Sequence, residues 1–358
     1  MKILLVGYTV PNSGVRGMGL GIGRYIYYLG RELGKMGQDV ELIVRDDFKP
    51  KESWIKTAYA PKMGWYPYPF FLKGQLKNKE ADIYNSDYVV TGVPLAALGK
   101  KPLVVTLHDA LPFHKDYKVN DIKSRMFVKF FKYCFGKVRD RADAIVMRSE
   151  NAREDLLNQV DVDEDKVFVV SGGVDPEFFY PMKKKSHEKI RIGYKGGLDG
   201  RKNVRLLVEV FRHMVYERDD IELHVAGTGT NLDVFRNMKI PNAKFYGYIP
   251  TEQENNFLNS LDIYVYPTLG EGFGLGPLEA MACAVPVLAS NATSMPEVVG
   301  ESGIVSEPTF SAFYRNLKRL VEDAKLRKKL SVAGLKRSRA MTWKRTAEDS
   351  LEVYEAIM

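Results

Sequence analysis

The sequence predicts an α/β protein of two domains, each built on a parallel sheet. Three observations carry that expectation. Short β-rich runs alternate with helical patterns from end to end. The 358 residues exceed what one hydrophobic core usually organises. Near residues 178–188 aromatic residues give way to a proline and a charged polar stretch, which reads as a linker. Strands are expected at 2–7, 40–45, 82–85, 103–107, 144–147 and 167–170, then at 190–194, 222–226, 243–246, 263–266 and 285–289. The domains are therefore set at 1–178 and 179–341, followed by a helical pattern at 342–358 marked by Trp343, Leu351, Tyr354 and Ile357. Rossmann-like domains bind ligands at the carboxyl ends of their strands, so a cleft between two of them is the expected site.

Composition narrows the function. An apolar content of 45% with 27% charged residues is that of a soluble globular chain. No apolar run approaches a bilayer span, and residues 3–7 are too short for a signal-peptide core, so a cytoplasmic protein is expected. Cys134 and Cys283 each sit in an apolar helical stretch, which reads as buried packing rather than a disulfide or metal site. A formal charge of +8 with a pI near 9.1 points to an anionic partner. No zinc-finger or RNA-recognition signature accompanies it, so nucleic acid is the weakest candidate.

The most informative segment is Glu271-Gly-Phe-Gly-Leu-Gly-Pro-Leu-Glu279. It follows the strand pattern 262–267 and precedes a helical run at 280–285. A strand, a glycine turn and a helix N-terminus in that order form an anion site, because the first helical N–H groups have no partner within the helix. Pro277 suits the first turn, where a missing N–H costs nothing. Glu271 is expected at the solvent-facing mouth of the loop and Glu279 inside the first turn. Carboxylates accept hydrogen bonds from sugar hydroxyls and repel bare phosphate, so two of them flanking a phosphate cradle suit a nucleotide sugar.

This block resembles the E-x7-E signature of glycosyltransferase family 4, the retaining enzymes of GT-B fold. The run Val285 to Val299 resembles the family's next strand and loop-helix. Tyr194-Lys-Gly-Gly-Leu-Asp-Gly-Arg-Lys-Asn203, Ser171-Gly-Gly-Val-Asp-Pro-Glu-Phe-Phe179 and the run Trp343 to Tyr354 resemble family segments in the same order, so the likeness covers nearly the whole chain. It implies two Rossmann-like domains facing across a cleft, the first on the acceptor side and the second on the donor side, with the last helix returning to the first domain. It also implies transfer of a hexose of mannose or glucose type from a nucleoside diphosphate sugar to a saccharide or lipid-linked acceptor, with no cofactor and no metal. A sugar-nucleotide epimerase of GT-B fold and a nucleotide-sugar-binding protein without turnover are the alternatives.

The same resemblance places the chemistry. Lys202 matches the diphosphate-binding lysine, and Phe273, Gly274 and Leu275 line the donor turn. Glu279 would hold ribose hydroxyls and Glu271 the donor sugar. Where family members read G-R-L, this chain reads Gly196-Gly-Leu198, so Gly197 stands in the arginine's place and Arg201 is expected to compensate, with Arg16 or Arg24 as alternatives. The glycine-rich stretch 14–24 has no register matching G-x-G-x-x-G; it reads as a flexible loop, and the resemblance implies that Gly17 and Gly19 lie beside the donor phosphates.

His108 and Asp109 end the strand at 103–107 and resemble the family's H-D-x-x-P run. A histidine there can donate to a sugar hydroxyl, and Asp109 can orient it or take part directly. His114 and His213 lack such a setting and read as structural. The D-x-D pattern in 161–165 falls in a polar loop and reads as a solvated charge run, not a metal site. Residues 123–141 form a basic aromatic helix, with Phe127, Phe130, Phe131, Cys134 and Val138 on one face and Arg125, Lys129, Lys132 and Arg139 on the other. Its basic face is open to two readings, solvated surface or contact with anionic lipid. The aromatic run at 65–71 would add interfacial residues or stack on a sugar acceptor.

Overall fold

The computed structural model describes residues 1–8, 20–45, 52–58, 68–114, 122–183, 187–198 and 200–358. The chain divides into two compact units, one of Met1–Gly172 with Trp343–Met358 and one of Gly173–Thr342.

Unit 1 holds β1 (Lys2–Val6), β2 (Asp39–Arg45), β3 (Ile55–Ala58), β4 (Ile83–Ser86), β5 (Leu103–Thr106), β6 (Ala144–Met147) and β7 (Val167–Val169). They form one parallel sheet in the order β3-β2-β1-β4-β5-β6-β7. Unit 2 holds β8 (Ile190–Lys195), β9 (Ile221–Ala226), β10 (Ala243–Gly247), β11 (Ile263–Tyr266), β12 (Val287–Ser290) and β13 (Ile304–Ser306), in the order β10-β9-β8-β11-β12-β13. Every residue of β4, β5, β6, β11 and β12 is buried. A parallel sheet covered by helices on both faces buries its strands along their whole length, whereas a half-exposed sheet would alternate.

In both sheets the strand order reverses once, between β1 and β4 in unit 1 and between β8 and β11 in unit 2. Loops leaving the carboxyl ends of such a strand pair diverge to opposite sides and leave room for a ligand. Two strands escape the sequence pattern, β3 and β13, and both lie at sheet edges. In β3 only Ile55 and Ala58 are buried, and β13 is three residues long, so neither writes an apolar run into the sequence.

Unit 2 begins at Gly173, ahead of the expected boundary at 178/179. The reason is local: the Val174 N–H donates to the Met341 carbonyl at 3.0 Å and Val174 bridges Thr342, which ties residues on both sides of the unit's start and end. The last helix, Trp343–Ala356, lies in unit 1 against the helix Leu20–Lys35. There the Trp343 ring stacks on Tyr28 with centroids 5.3 Å apart and planes 4° from parallel. The Asn85 amide donates to the Tyr354 hydroxyl at 2.5 Å, and the Thr346 hydroxyl donates to the Ser171 carbonyl at 2.9 Å. Cys134 and Cys283 are both free thiols and both buried.

Candidate active site

The switch point of unit 2 brings two loops together. The loop after β8 carries Arg201 and Lys202 in a short 3-10 turn, Gly200–Lys202, and the loop after β11 carries Glu271. Leu269 N–H donates to the Arg201 carbonyl at 2.7 Å, and the Thr268 hydroxyl oxygen lies 3.1 Å from the same carbonyl, so the backbones are stitched before any charge pairs. Lys202 Nζ then closes on Glu271 Oε1, and Arg201 Nη1 reaches Glu271 Oε2 at 3.0 Å and the Gly270 carbonyl at 2.6 Å. The Tyr266 hydroxyl donates to Oε1 at 2.9 Å and the Thr268 hydroxyl at 3.2 Å. From the loop after β12, the Thr293 hydroxyl accepts from the Glu271 N–H at 2.8 Å, and the Ser294 hydroxyl donates to the Glu271 carbonyl at 3.0 Å.

Glu271 is thus 9% exposed, not at a solvent-facing loop mouth as expected. Burial alone pushes a carboxyl upward, but the charges of Lys202 and Arg201, with hydrogen bonds from Lys202 and Tyr266, outweigh it and hold the pKa at about 2. The carboxylate stays ionised because two cations and two hydroxyls surround it.

The turn that follows requires its glycines. Gly274 caps the helix Leu275–Ala282 with φ 101° and ψ 69°, and a Cβ there would come within 2.1 Å of the Met295 methyl group. A Cβ on Gly276 would meet the Tyr264 hydroxyl at 2.7 Å. Phe273 is 8% exposed in the core and Leu275 packs against that core half-buried. Because the helix starts at Leu275, two residues ahead of Pro277, Glu279 is its fifth residue and lies in its second turn rather than its first. It is buried, and Lys195 Nζ holds it at 2.6 Å while also reaching Glu254 at 2.5 Å. Sequence reading did not single out Lys195 or Glu254. A lysine directly after the buried run Ile192–Tyr194, at the carboxyl end of β8, is the signal that identifies it, since charge there faces the ligand edge of the sheet.

In unit 1, His108 and Asp109 follow β5, and both are half-buried. His108 Nε2 lies 2.8 Å from the Asp87 backbone carbonyl. Burial first, then the nearby Arg148 guanidinium, push its pKa down to about 3 against that hydrogen bond. Arg24 lies within the helix Leu20–Lys35 and is 7% exposed. Arg16, Gly17 and Gly19 lie outside the described residues, as do positions 65–67 of the aromatic run.

The remaining candidates take ordinary roles. Asp163 accepts from the Asp165 N–H at 3.2 Å, and Glu164 pairs with Arg153 at 2.8 Å. His114 pairs with Asp155 at 2.6 Å and His213 with Glu217 at 3.3 Å. The basic helix spans Ile122–Val138, so Arg139 lies past its end, where it binds Asp140 and the Asp161 carbonyl, each at 2.9 Å. Among the described residues, no helix is long and apolar enough to cross a membrane.

Residues 20–178 match the family model "Glycosyltransferase Family 4", and residues 177–337 match "Glycosyl transferases group 1". The chain is 22% identical to D-inositol 3-phosphate glycosyltransferase of Corynebacterium efficiens, over 99% of this chain and 95% of that protein. It is 29% identical to O-antigen chain mannosyltransferase B of Escherichia coli, over 46% of this chain and 45% of that protein. Among solved structures it superposes on sucrose-phosphate synthase from Thermosynechococcus elongatus with a TM-score of 0.81 at 18% identity, covering 99% of each chain. It superposes on Anabaena HepE in complex with UDP and glucose with a TM-score of 0.77 at 15% identity, covering 99% of this chain and 100% of that one. These neighbours share the GT-B fold.

The Glu271 cluster has a pH signature. Its carboxyl titrates near 4.5 ordinarily and at about 2 in the folded chain, so between those values the unfolded chain binds the proton that the native chain sheds. The stabilisation is fully present above pH 4.5 and is lost as pH falls toward 2, amounting to on the order of 3 kcal/mol. Denaturant titrations from pH 6 to pH 2.5 should therefore show a shallower acid loss of stability in Glu271→Gln than in wild type. Parallel curves would mean that the carboxylate is not held by these cations in solution.

Proposed function

Because the chain belongs to the group 1 glycosyltransferases of family 4 type, we propose that it moves a hexose from a nucleoside diphosphate sugar to a saccharide or lipid-linked acceptor, with retention of configuration and without a metal ion or cofactor. The observation that carries this reading is the pair of cations, Lys202 and Arg201, gathered on Glu271 at the switch point of unit 2. A leaving diphosphate gains negative charge as the glycosidic bond breaks, and fixed cations beside it stabilise that change without having to reorganise. Glu271 would accept from hydroxyls of the donor sugar, and Glu279 from those of the ribose. Unit 1 would hold the acceptor at the carboxyl edge around His108 and Asp109. Relatives named as mannosyltransferases support a hexose, and UDP with glucose in the HepE structure supports a nucleoside diphosphate donor.

Gly197 sharpens the assignment. It is exposed, and a Cβ there would meet nothing nearer than Lys202 Cγ at 3.9 Å, so no clash of a Cβ accounts for the glycine in place of the family's arginine. Arg201, fixed on Glu271 beside Lys202, supplies a second positive charge in its stead.

One experiment tests the reading. Purified protein is incubated with uridine, guanosine and adenosine diphosphate hexoses, while diphosphate release and the anomer of any product are followed. Release of the diphosphate from one donor is expected, with the hexose passing to water, or to a saccharide acceptor when one is supplied, in the donor's own anomeric configuration. Arg201→Ala should lower kcat/KM nearly as much as Lys202→Ala, by roughly 10- to 100-fold for a lost charged hydrogen bond of about 1.5 to 3 kcal/mol, and Gly197→Arg should restore part of the Arg201→Ala loss. Sugar inversion without an acceptor would favour the epimerase, and donor binding without any release would favour the binding protein.

A lipid-linked acceptor at the cytoplasmic face of an anionic membrane is favoured by the helix Ile122–Val138. Its sequence holds no acidic residue, and Ile122, Met126 and Tyr133 are 72%, 56% and 61% exposed among its cations. Charge alone would not distinguish it, since residues 315–339 hold ten basic and two acidic residues; the exposed apolar side chains between the cations do. Gln at Arg125, Lys129 and Lys132 should weaken sedimentation with phosphatidylserine vesicles, each cation being worth about 1 kcal/mol near the surface. Wild-type protein that ignores such vesicles at low salt would leave a soluble saccharide as the acceptor.

A further inference from the structure

At the carboxyl edge of unit 1, three neighbouring strands deliver Asp87 after β4, His108 after β5 and Arg148 after β6. His108 Nε2 sits 2.8 Å from the Asp87 backbone carbonyl, which can only accept, so the ring proton resides on Nε2 and Nδ1 keeps its lone pair. The Tyr25 ring stands edge-on to the imidazole with centroids 5.4 Å apart and planes at 83°, and Tyr88 lies at 6.4 Å. The Arg148 guanidinium lies 3.9 Å from the centroid of the same Tyr25 ring.

Arg148 is unusual in itself. It is 3% exposed, and among the described residues its Nη1 has no hydrogen-bond partner. A buried cation without a counter-charge costs several kcal/mol. The carboxyl of Asp87 does not supply that counter-charge: it is fully buried, its Oδ2 is likewise unpartnered among the described residues, and burial drives its pKa up to about 8 despite hydrogen bonds from Thr91 and the Tyr8 backbone. Among the described residues, the charged or titratable groups around the His108 ring are Tyr25 of the helix Leu20–Lys35, Asp87 and Tyr88 after β4, Asp109 next in the chain, and Arg148 after β6. Of these, Arg148 is the one that carries a permanent positive charge.

We propose that Arg148 is a positioning residue: beside the Tyr25 ring that both groups contact, it keeps His108 a neutral hydrogen-bond acceptor, offering Nδ1 to a hydroxyl of the saccharide substrate. The proposal rests on the reading that His108 binds that substrate, and it revises the role expected from sequence. With Nε2–H committed to the Asp87 carbonyl, the side chain accepts a hydroxyl proton rather than donating to the sugar. Protonation would turn Nδ1 into a donor and abolish that role, and a buried guanidinium across one aromatic ring opposes it. The low pKa of His108, to which Arg148 contributes after burial, agrees.

The test is imidazole nitrogen NMR of His108 in wild type, Arg148→Met and Arg148→Lys, paired with the pH dependence of kcat/KM. Wild type should show the Nε2–H tautomer and no imidazolium down to pH 4. In Arg148→Met the His108 pKa should rise by about 1, with kcat/KM falling toward acid pH faster than in wild type, and Arg148→Lys should restore both. An Nδ1–H tautomer in wild type, or a His108 that titrates alike in all three proteins, overturns the proposal. The wild-type tautomer is decisive even where Arg148→Met fails to fold. His108→Phe separates this outcome from the underlying reading: full transfer activity in that variant would remove His108 from substrate binding, whatever Arg148 does to its ring.

Discussion

The closure of Lys202 and Arg201 on the buried carboxylate of Glu271 is the contact on which the carboxyl edge of unit 2 depends. It joins the loop after β8 to the loop after β11 across the point where strand order reverses, and Thr293 and Ser294 bring in the loop after β12. A carboxylate this buried is tolerated only because donors saturate it, and each cation is held in place by the carboxylate in turn. The glycine turn at Gly274 and the helix behind it start from that fixed point.

The two carboxylates of the E-x7-E segment occupy electrically opposite surroundings. Glu271 meets two cations, so its cluster carries a net positive charge. Glu279 shares Lys195 with Glu254, so that cluster carries a net negative one. A ligand with a diphosphate at one end of a hydroxyl-bearing ring fits this division, since phosphate oxygens seek cations and hydroxyls donate to carboxylates. The sequence shows two glutamates at a set spacing; the cations that separate their roles come from the end of β8 and the loop after it, 69 to 84 residues earlier in the chain.

What could be read from sequence follows the same logic. Buried parallel strands such as β5 and β11 are unbroken apolar runs and stand out, whereas β3 and β13 gain their strand character from a neighbour and do not. The E-x7-E segment, Lys202 and His108 were legible because short motifs carry them. The burial of Glu271 was not, because its donors Tyr266, Thr268, Arg201 and Lys202 converge only once the sheet has formed. Nor was Arg148 legible, since a lone arginine after an apolar strand looks like any surface residue until Tyr25 covers it. The start of the helix at Leu275 was missed because a glycine and a proline in its first turn weaken the helical pattern there.

Glu271 occupies the two cations that the proposed function assigns to a donor diphosphate. The carboxylate therefore competes with the ligand, and removing its charge should strengthen diphosphate binding while transfer fails for want of the sugar contact. Titration calorimetry of the free nucleoside diphosphate against wild type and Glu271→Gln measures this directly. Binding at least about tenfold tighter in Glu271→Gln, or 1.4 kcal/mol, together with lost transfer is the predicted result; unchanged or weaker binding would contradict the assignment of Lys202 and Arg201 to the diphosphate.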